Sequence, residues 1–148
     1  MKIVIVGGGK VGLTIAAQIA REGHDITLID NNRETVGHLA SALDIMITYG
    51  NGAALDTQLE ADVGNSDLLI AVTPLDEVNM LCCVLARKLG CKNTIARIRN
   101  QEYTEQLFLL RRELGLSLTI NSDMTAAREI FRLLQFPGFL KRDAFVRG

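Results

Sequence analysis

The chemistry-bearing residues gather near the start of the chain. Gly7-Gly8-Gly9-Lys10-Val11-Gly12 satisfies G-x-G-x-x-G. It follows an apolar β-branched run, Ile3-Val4-Ile5-Val6, and leads into a segment with helical spacing. In that setting the first glycine permits a tight turn and the second lets a pyrophosphate approach the backbone. The third lets a helix pack close to a sheet. The helix start offers free N–H groups to phosphate oxygens. Lys10 adds a cation beside them and can reach a third phosphate, so ATP or ADP stands next to NAD as a candidate ligand. Asp30 lies 18 residues after Gly12, at the end of a second apolar run, Ile26-Thr27-Leu28-Ile29. A carboxylate there accepts hydrogen bonds from an adenosine ribose and repels a 2′-phosphate, so NAD(H) is expected over NADP(H). Arg33 could blunt that repulsion, but it lies beyond the strand end. Asn31, next to Asp30, is counted with the site.

Further candidates follow later apolar runs. Gly50-Asn51-Gly52 and Thr73-Pro74 both fall at carboxyl ends of expected strands, where ligands bind in open α/β sheets. Asn51 can read an adenine edge, and Thr73 can close over the phosphates or the far ribose. Arg97 and Arg99 alternate with Ile98 and share a face, where one guanidinium would suit a phosphate. Other residues read as structural. His24 and His38 are expected at the surface. Asp76-Glu77 opens a helix and favours its dipole. Cys82, Cys83 and Cys91 match neither a zinc site nor a CxxC pair, and read as small buried hydrophobes. No metal site and no catalytic group is expected. A hydride-transferring enzyme needs an acid or base beside its cofactor. No Tyr-x-x-x-Lys pair supplies one, since Ala53 follows Tyr49 and Leu107 follows Tyr103 at that spacing.

The elements that must position these residues alternate. Strands are expected at 3–6, 26–29, 45–49, 68–72, 94–98 and 118–120. Helices are expected at 10–22, from Asn32 to about Leu43, 55–62, 76–89, 101–113, and from Ser122 or Asp123 to about Phe136. This is an α/β pattern, a doubly wound parallel six-stranded Rossmann sheet of order 3-2-1-4-5-6, closed by a C-terminal helix.

The composition agrees. The 148 residues suit one domain, and 48% hydrophobic with only 2 Pro excludes a disordered chain. No apolar run approaches the roughly 20 residues of a membrane span. The start of the chain is not expected to act as a signal peptide, since its apolar run meets the glycines at once. With 16 basic and 17 acidic residues there is no basic excess to meet nucleic acid. Four of the five Phe (Phe131, Phe136, Phe139, Phe145) crowd the last 18 residues.

The chain resembles the N-terminal nucleotide-binding domains of TrkA-type potassium-uptake regulators, the RCK (regulator of K⁺ conductance) family. The segments that carry the likeness are Met1 to Gly12, Glu22-Gly23-His24-Asp25 into Ile29-Asp30, and Gly50-Asn51-Gly52. Ala71 to Met80, Ile95 to Asn100 with Tyr103, and Ala126 to Gly138 carry the rest. The resemblance implies a cytoplasmic regulator at the inner face of the membrane, beneath a potassium transporter. It implies a cleft that binds NAD(H) or ATP/ADP and passes a conformational change to the pore. The family's phosphate loop falls on Gly7 through Val11, its ribose carboxylate on Asp30, and its later contacts on Asn51, Thr73, Pro74 and Arg97. The wider family often has Asp at position 51, where this chain has Asn.

The resemblance also divides the chain into a Rossmann domain over 1–121 and a crossover helix and tail over 122–148. A C-terminal ligand-binding lobe would follow beyond residue 148. The crossover helix is expected to meet a neighbouring subunit. Met124, Ala127, Phe131 and Leu134 form its stripe, and Phe136, Phe139, Leu140 and Phe145 continue the apolar surface. A homodimer, or a larger ring of such domains, follows. The alternative is the cofactor domain of an NAD-dependent oxidoreductase whose catalytic half lies elsewhere. Thr73 to Asn79 and Ala96 to Arg99 weigh against it.

Overall fold

The unbroken apolar runs of the sequence become strands buried on both faces, which is what a parallel sheet covered by helices requires. The computed structural model describes residues 1–120 together with Arg128, Ile130, Arg132, Leu134 and Gln135. Strands and helices alternate as β1 (Lys2–Val6), α1 (Lys10–Arg21), β2 (Asp25–Asp30), α2 (Arg33–Ala42), β3 (Met46–Tyr49) and α3 (Leu55–Glu60). They continue as β4 (Leu68–Ala71), α4 (Asp76–Leu89), β5 (Asn93–Arg97), α5 (Gln101–Leu114) and β6 (Leu118–Ile120). Every strand pairing is parallel, and the order is β3-β2-β1-β4-β5-β6. The expected topology is therefore the observed one. The order reverses between β1 and β4, and the cleft opens there, at the carboxyl ends of the strands.

Two apolar layers cover the sheet. Alternation along β1 sends Ile3 and Ile5 to one face and Val4 and Val6 to the other. The first layer packs Ile15 and Ile19 of α1 against Ile70 and Ile95, and it also receives Ile130 and Leu134. The second layer packs Cys82, Cys83 and Ala86 of α4 against Leu69, Ala71 and Ala96. All three cysteines are free and buried, as expected. Desolvation pushes the Cys82 thiol up to about 12 and raises those of Cys83 and Cys91 as well.

Three local findings differ from the sequence reading. The third helix stops at Glu60 rather than Asp62, because Asp62 adopts a left-handed backbone (φ 57°) and a single 3-10 turn follows at Val63–Asn65. Strand β1 starts one residue early, at Lys2, whose N–H donates to the Asp67 carboxylate at 2.8 Å. Strand β5 ends at Arg97, although the Ile98 N–H still donates to the Ile120 carbonyl at 2.7 Å. Arg128, Ile130, Arg132 and Leu134 are helical, and Leu134 turns into the first apolar layer. The other members of the expected interfacial stripe, Met124, Ala127 and Phe131, and the tail residues Phe136, Phe139, Leu140 and Phe145, lie outside the described residues.

Candidate functional site

The glycine loop between β1 and α1 is shaped by close approach. Gly7 has φ +111°, and a Cβ there would lie 3.0 Å from the Val72 carbonyl oxygen. A Cβ on Gly12 would lie 1.7 Å from the Gly7 carbonyl oxygen, so the helix can sit this near the loop only with glycine. Gly9 differs from both. A Cβ on it would meet nothing within 4 Å, because it borders open cleft. Helix α1 begins directly after Gly9 with no side-chain cap and no acidic residue in its first turn. Its first N–H groups have no intrahelical acceptor and stand at the mouth of the cleft.

Asp30 closes the loop from the side. Its Oδ2 accepts the Gly8 N–H at 2.6 Å and its Oδ1 accepts the Asn32 N–H at 2.8 Å. The carboxylate has about four acceptor sites, so sites remain for hydroxyl donors. Capping of α2 falls to Asn32, whose Oδ1 accepts from the N–H groups of Glu34 and Thr35. Asp30 has no ion-pair partner among the described residues.

The opposite wall is built from side-chain amides and guanidinium groups. Asn79, on the first turn of α4, is wholly buried. Its Oδ1 accepts the Thr73 N–H at 2.8 Å and the Thr73 hydroxyl at 2.7 Å. Its Nδ2 donates to the carbonyls of Thr73 at 3.0 Å and Arg97 at 2.8 Å. Arg97 donates to the Thr73 carbonyl at 2.8 Å, and Arg99 to the Pro74 carbonyl at 2.8 Å. Asp76 does more than favour a helix dipole. It is buried and accepts the N–H groups of Arg99 at 3.0 Å and Asn100 at 2.7 Å, which joins the starts of α4 and α5. Tyr103 donates to Glu77 at 2.7 Å across the same seam, and that bond raises the phenol's pKa.

The floor after β3 holds Asn51, whose Oδ1 accepts the Ala53 N–H at 2.9 Å. Gly52 stands against Val6, where a Cβ would fall 2.3 Å from a methyl. The buried Gln58 fixes this turn, donating to the Gly52 carbonyl at 2.8 Å and to Cys82 on α4 at 3.0 Å.

These parts enclose one cleft of about 740 Å³. Gly7, Gly9, Lys10, Val11, Asp30, Asn31, Asn51, Thr73, Pro74 and Arg97 line it together. Gly8 and Gly12 are not among the lining residues. Gly8 spends its N–H on Asp30, and Gly12 seats the helix. Asn79 and Gln58 escaped the sequence reading because they hold the walls from behind. A signal existed for Asn79, which shares a helical stripe with Cys82, Cys83 and Ala86 and is the polar member of a buried face. His38 is exposed, and His24 is half-buried, with its ring Nδ1 3.1 Å from the N-terminal amine. Burial lowers the His24 pKa, with help from that amine.

The donor set suits a nucleotide. The space beside Gly9 is open, the helix start is uncapped, Lys10 and Arg97 bring positive charge, and a carboxylate stands at one end. Among the described residues no group of three or more His, Cys, Asp or Glu side chains is arranged to hold a metal ion. No helix among them is long and apolar enough to cross a membrane.

Comparison with known proteins places this cleft in context. Residues 3–122 match the TrkA-N domain. A Trk system potassium uptake protein TrkA homolog from Methanothermobacter thermautotrophicus is 36% identical over 137 residues, which is 93% of this chain and 62% of that protein. The chain thus spans less than two thirds of that relative. The TrkA-N domain of the Escherichia coli inner membrane protein ybaL aligns with a TM-score of 0.73 at 20% identity, over 90% of this chain and 96% of that one. The GsuK channel bound to NAD and GsuK bound to ADP each align with a TM-score of 0.69 at 19% identity. They cover 80% and 81% of this chain, and 21% and 31% of their own.

Proposed function

The chain belongs to the TrkA-N family, and from that premise we propose that it is the nucleotide-binding regulatory domain of a Trk-type potassium uptake system. It takes NAD(H) or ATP/ADP in its cleft and passes the ligand-dependent change to a membrane potassium transporter. The observation that carries the reading is the uncapped start of α1 facing the open space at Gly9, with Asp30 at one end of the same cleft. The N–H groups of Lys10 and Val11 and the Lys10 ammonium hold phosphate, and Arg97 adds charge from the far wall. Asp30 accepts from the adenosine ribose, Asn51 offers its amide to the base, and Thr73 and Pro74 border the remainder.

The ligand acts here as an effector. It shifts the domain between two states only by as much as its affinities for them differ. The wall it touches at Thr73 and Arg97 is tied to α5 through Asp76 and Asn100, which gives the change a route outward. In this reading the Rossmann domain spans 1–121, and 122–148 forms the crossover helix and tail. The domain works as a homodimer or a ring at the cytoplasmic face of the membrane, and it catalyses no reaction. The GsuK structures with NAD and with ADP support the choice of ligands.

Titration calorimetry with NAD, NADH, NADPH, ATP and ADP tests it. Binding of several adenine nucleotides, weak NADPH, and loss of NADH binding in Asp30→Ala are expected. Absence of binding by every nucleotide overturns it, and tight binding of NAD(H) alone favours the cofactor domain of an oxidoreductase.

A further inference from the structure

Strands β2 and β3 run in parallel register with Asp30 opposite Tyr49. Arg33 opens α2 three residues after Asp30, and its guanidinium carbon lies 4.5 Å from the centroid of the Tyr49 ring. The pair straddles the rim. Asn32, Thr35 and Gly50 line the cleft beside it, and neither Arg33 nor Tyr49 does. Both side chains are exposed, Tyr49 by 45%. The arginine closest in sequence to the ribose-side carboxylate is therefore stacked on the outside of the rim, and Asp30 has no cationic partner among the described residues.

That arrangement decides a chemical choice. A dinucleotide with a 2′-phosphate brings extra negative charge to a ribose facing a carboxylate, and a nearby arginine is the group that accommodates it. Here that arginine is present but held away. We infer that Tyr49 is a positioning residue for cofactor selection: by stacking Arg33 outside the cleft it sustains discrimination against 2′-phosphorylated dinucleotides. The inference rests on the nucleotide reading of the cleft. Exposed cation–π contacts are weak, so the ring holds Arg33 without locking it, and its removal releases a side chain long enough to turn toward Asp30.

The test measures NADH and NADPH affinities of the whole chain in parallel. In Tyr49→Ala the NADPH affinity relative to NADH rises by about two- to fivefold, the range that loss of one exposed cation–π contact provides. Tyr49→Phe keeps the ring face and the original ratio. Adding Arg33→Ala to Tyr49→Ala removes the gain. An unchanged ratio in Tyr49→Ala, with NADH bound as in the original chain, overturns the inference and leaves the cleft reading standing. A gain that survives Arg33→Ala also overturns it. Failure of the original chain to bind NADH overturns the inference, and failure to bind ATP and ADP as well overturns the cleft reading with it.

Discussion

The two walls of the cleft are held by opposite means. The wall of β1, α1 and β2 depends on the absence of side chains. Gly7 and Gly12 let backbone approach backbone, and one carboxylate, Asp30, clips the loop. The wall of β4, α4 and β5 depends on side chains, chief among them the buried Asn79, which satisfies four polar groups of two strand ends at once. The first wall leaves the N–H groups at the start of α1 without a side-chain cap. The second spends its polar groups on itself and presents a finished surface. One wall offers uncapped donors, and the other holds its own shape.

The comparison can be broken at several points. Gly12→Val is expected to have the largest effect. Its Cβ would overlap the Gly7 carbonyl oxygen, so the first wall cannot form, and a loss above about 4 kcal/mol follows. Thermal melting followed by circular dichroism should show a chain unfolded or nearly so. Asn79→Leu comes next. It keeps the volume but strands buried groups of Thr73 and Arg97, at about 2–4 kcal/mol in urea unfolding. If the walls are held independently, a Gly7–Gly12 loop that still binds ADP in this variant sharpens the contrast.

Gly9→Ala separates fold from ligand. Nothing stands near the new methyl, so stability should hold within about 0.5 kcal/mol. Nucleotide affinity should fall by about tenfold, since the methyl occupies space that a phosphate needs. An unchanged affinity would remove the receiving role from the first wall.

The smallest effect lies at the far end of the sheet. The Asp67 carboxyl is held below its ordinary value, first by the Lys2 N–H and then by Lys92. A carboxyl so depressed contributes stability above its unfolded pKa, and that contribution is lost as pH falls through the folded one. The melting-temperature gap between the original chain and Asp67→Asn should therefore be present at pH 7 and shrink below about pH 3.8. Nucleotide affinity at neutral pH should not change, because neither wall is involved.

What could be read in the sequence follows the same division. The first wall was legible because its geometry is written as spacing: three glycines, a β-branched run before them, and a carboxylate at the end of the next run. The second was legible only in its lining residues Thr73, Pro74 and Arg97. The residue that holds them sits mid-pattern in a helix, where an amide on an apolar stripe looks like a flaw in periodicity. Helix α3 hid its role more completely. It buries Thr57 and Gln58 and exposes Leu55 and Leu59, so the polarity that usually tells inside from outside is reversed. The stacking of Arg33 on Tyr49 pairs residues 16 positions apart and depends on strand register, which spacing along the chain does not reveal.

The three thiols on the buried face of α4 and just past its end have a practical consequence. Cys82, Cys83 and Cys91 are at most 2% exposed, and burial raises the pKa of each thiol. A thiol reagent can reach them only when this layer opens. Their labelling rate is thus a clock for that opening. The backbone and side chains that hold the second wall rest on the same helix, so the clock runs faster whenever that wall loosens.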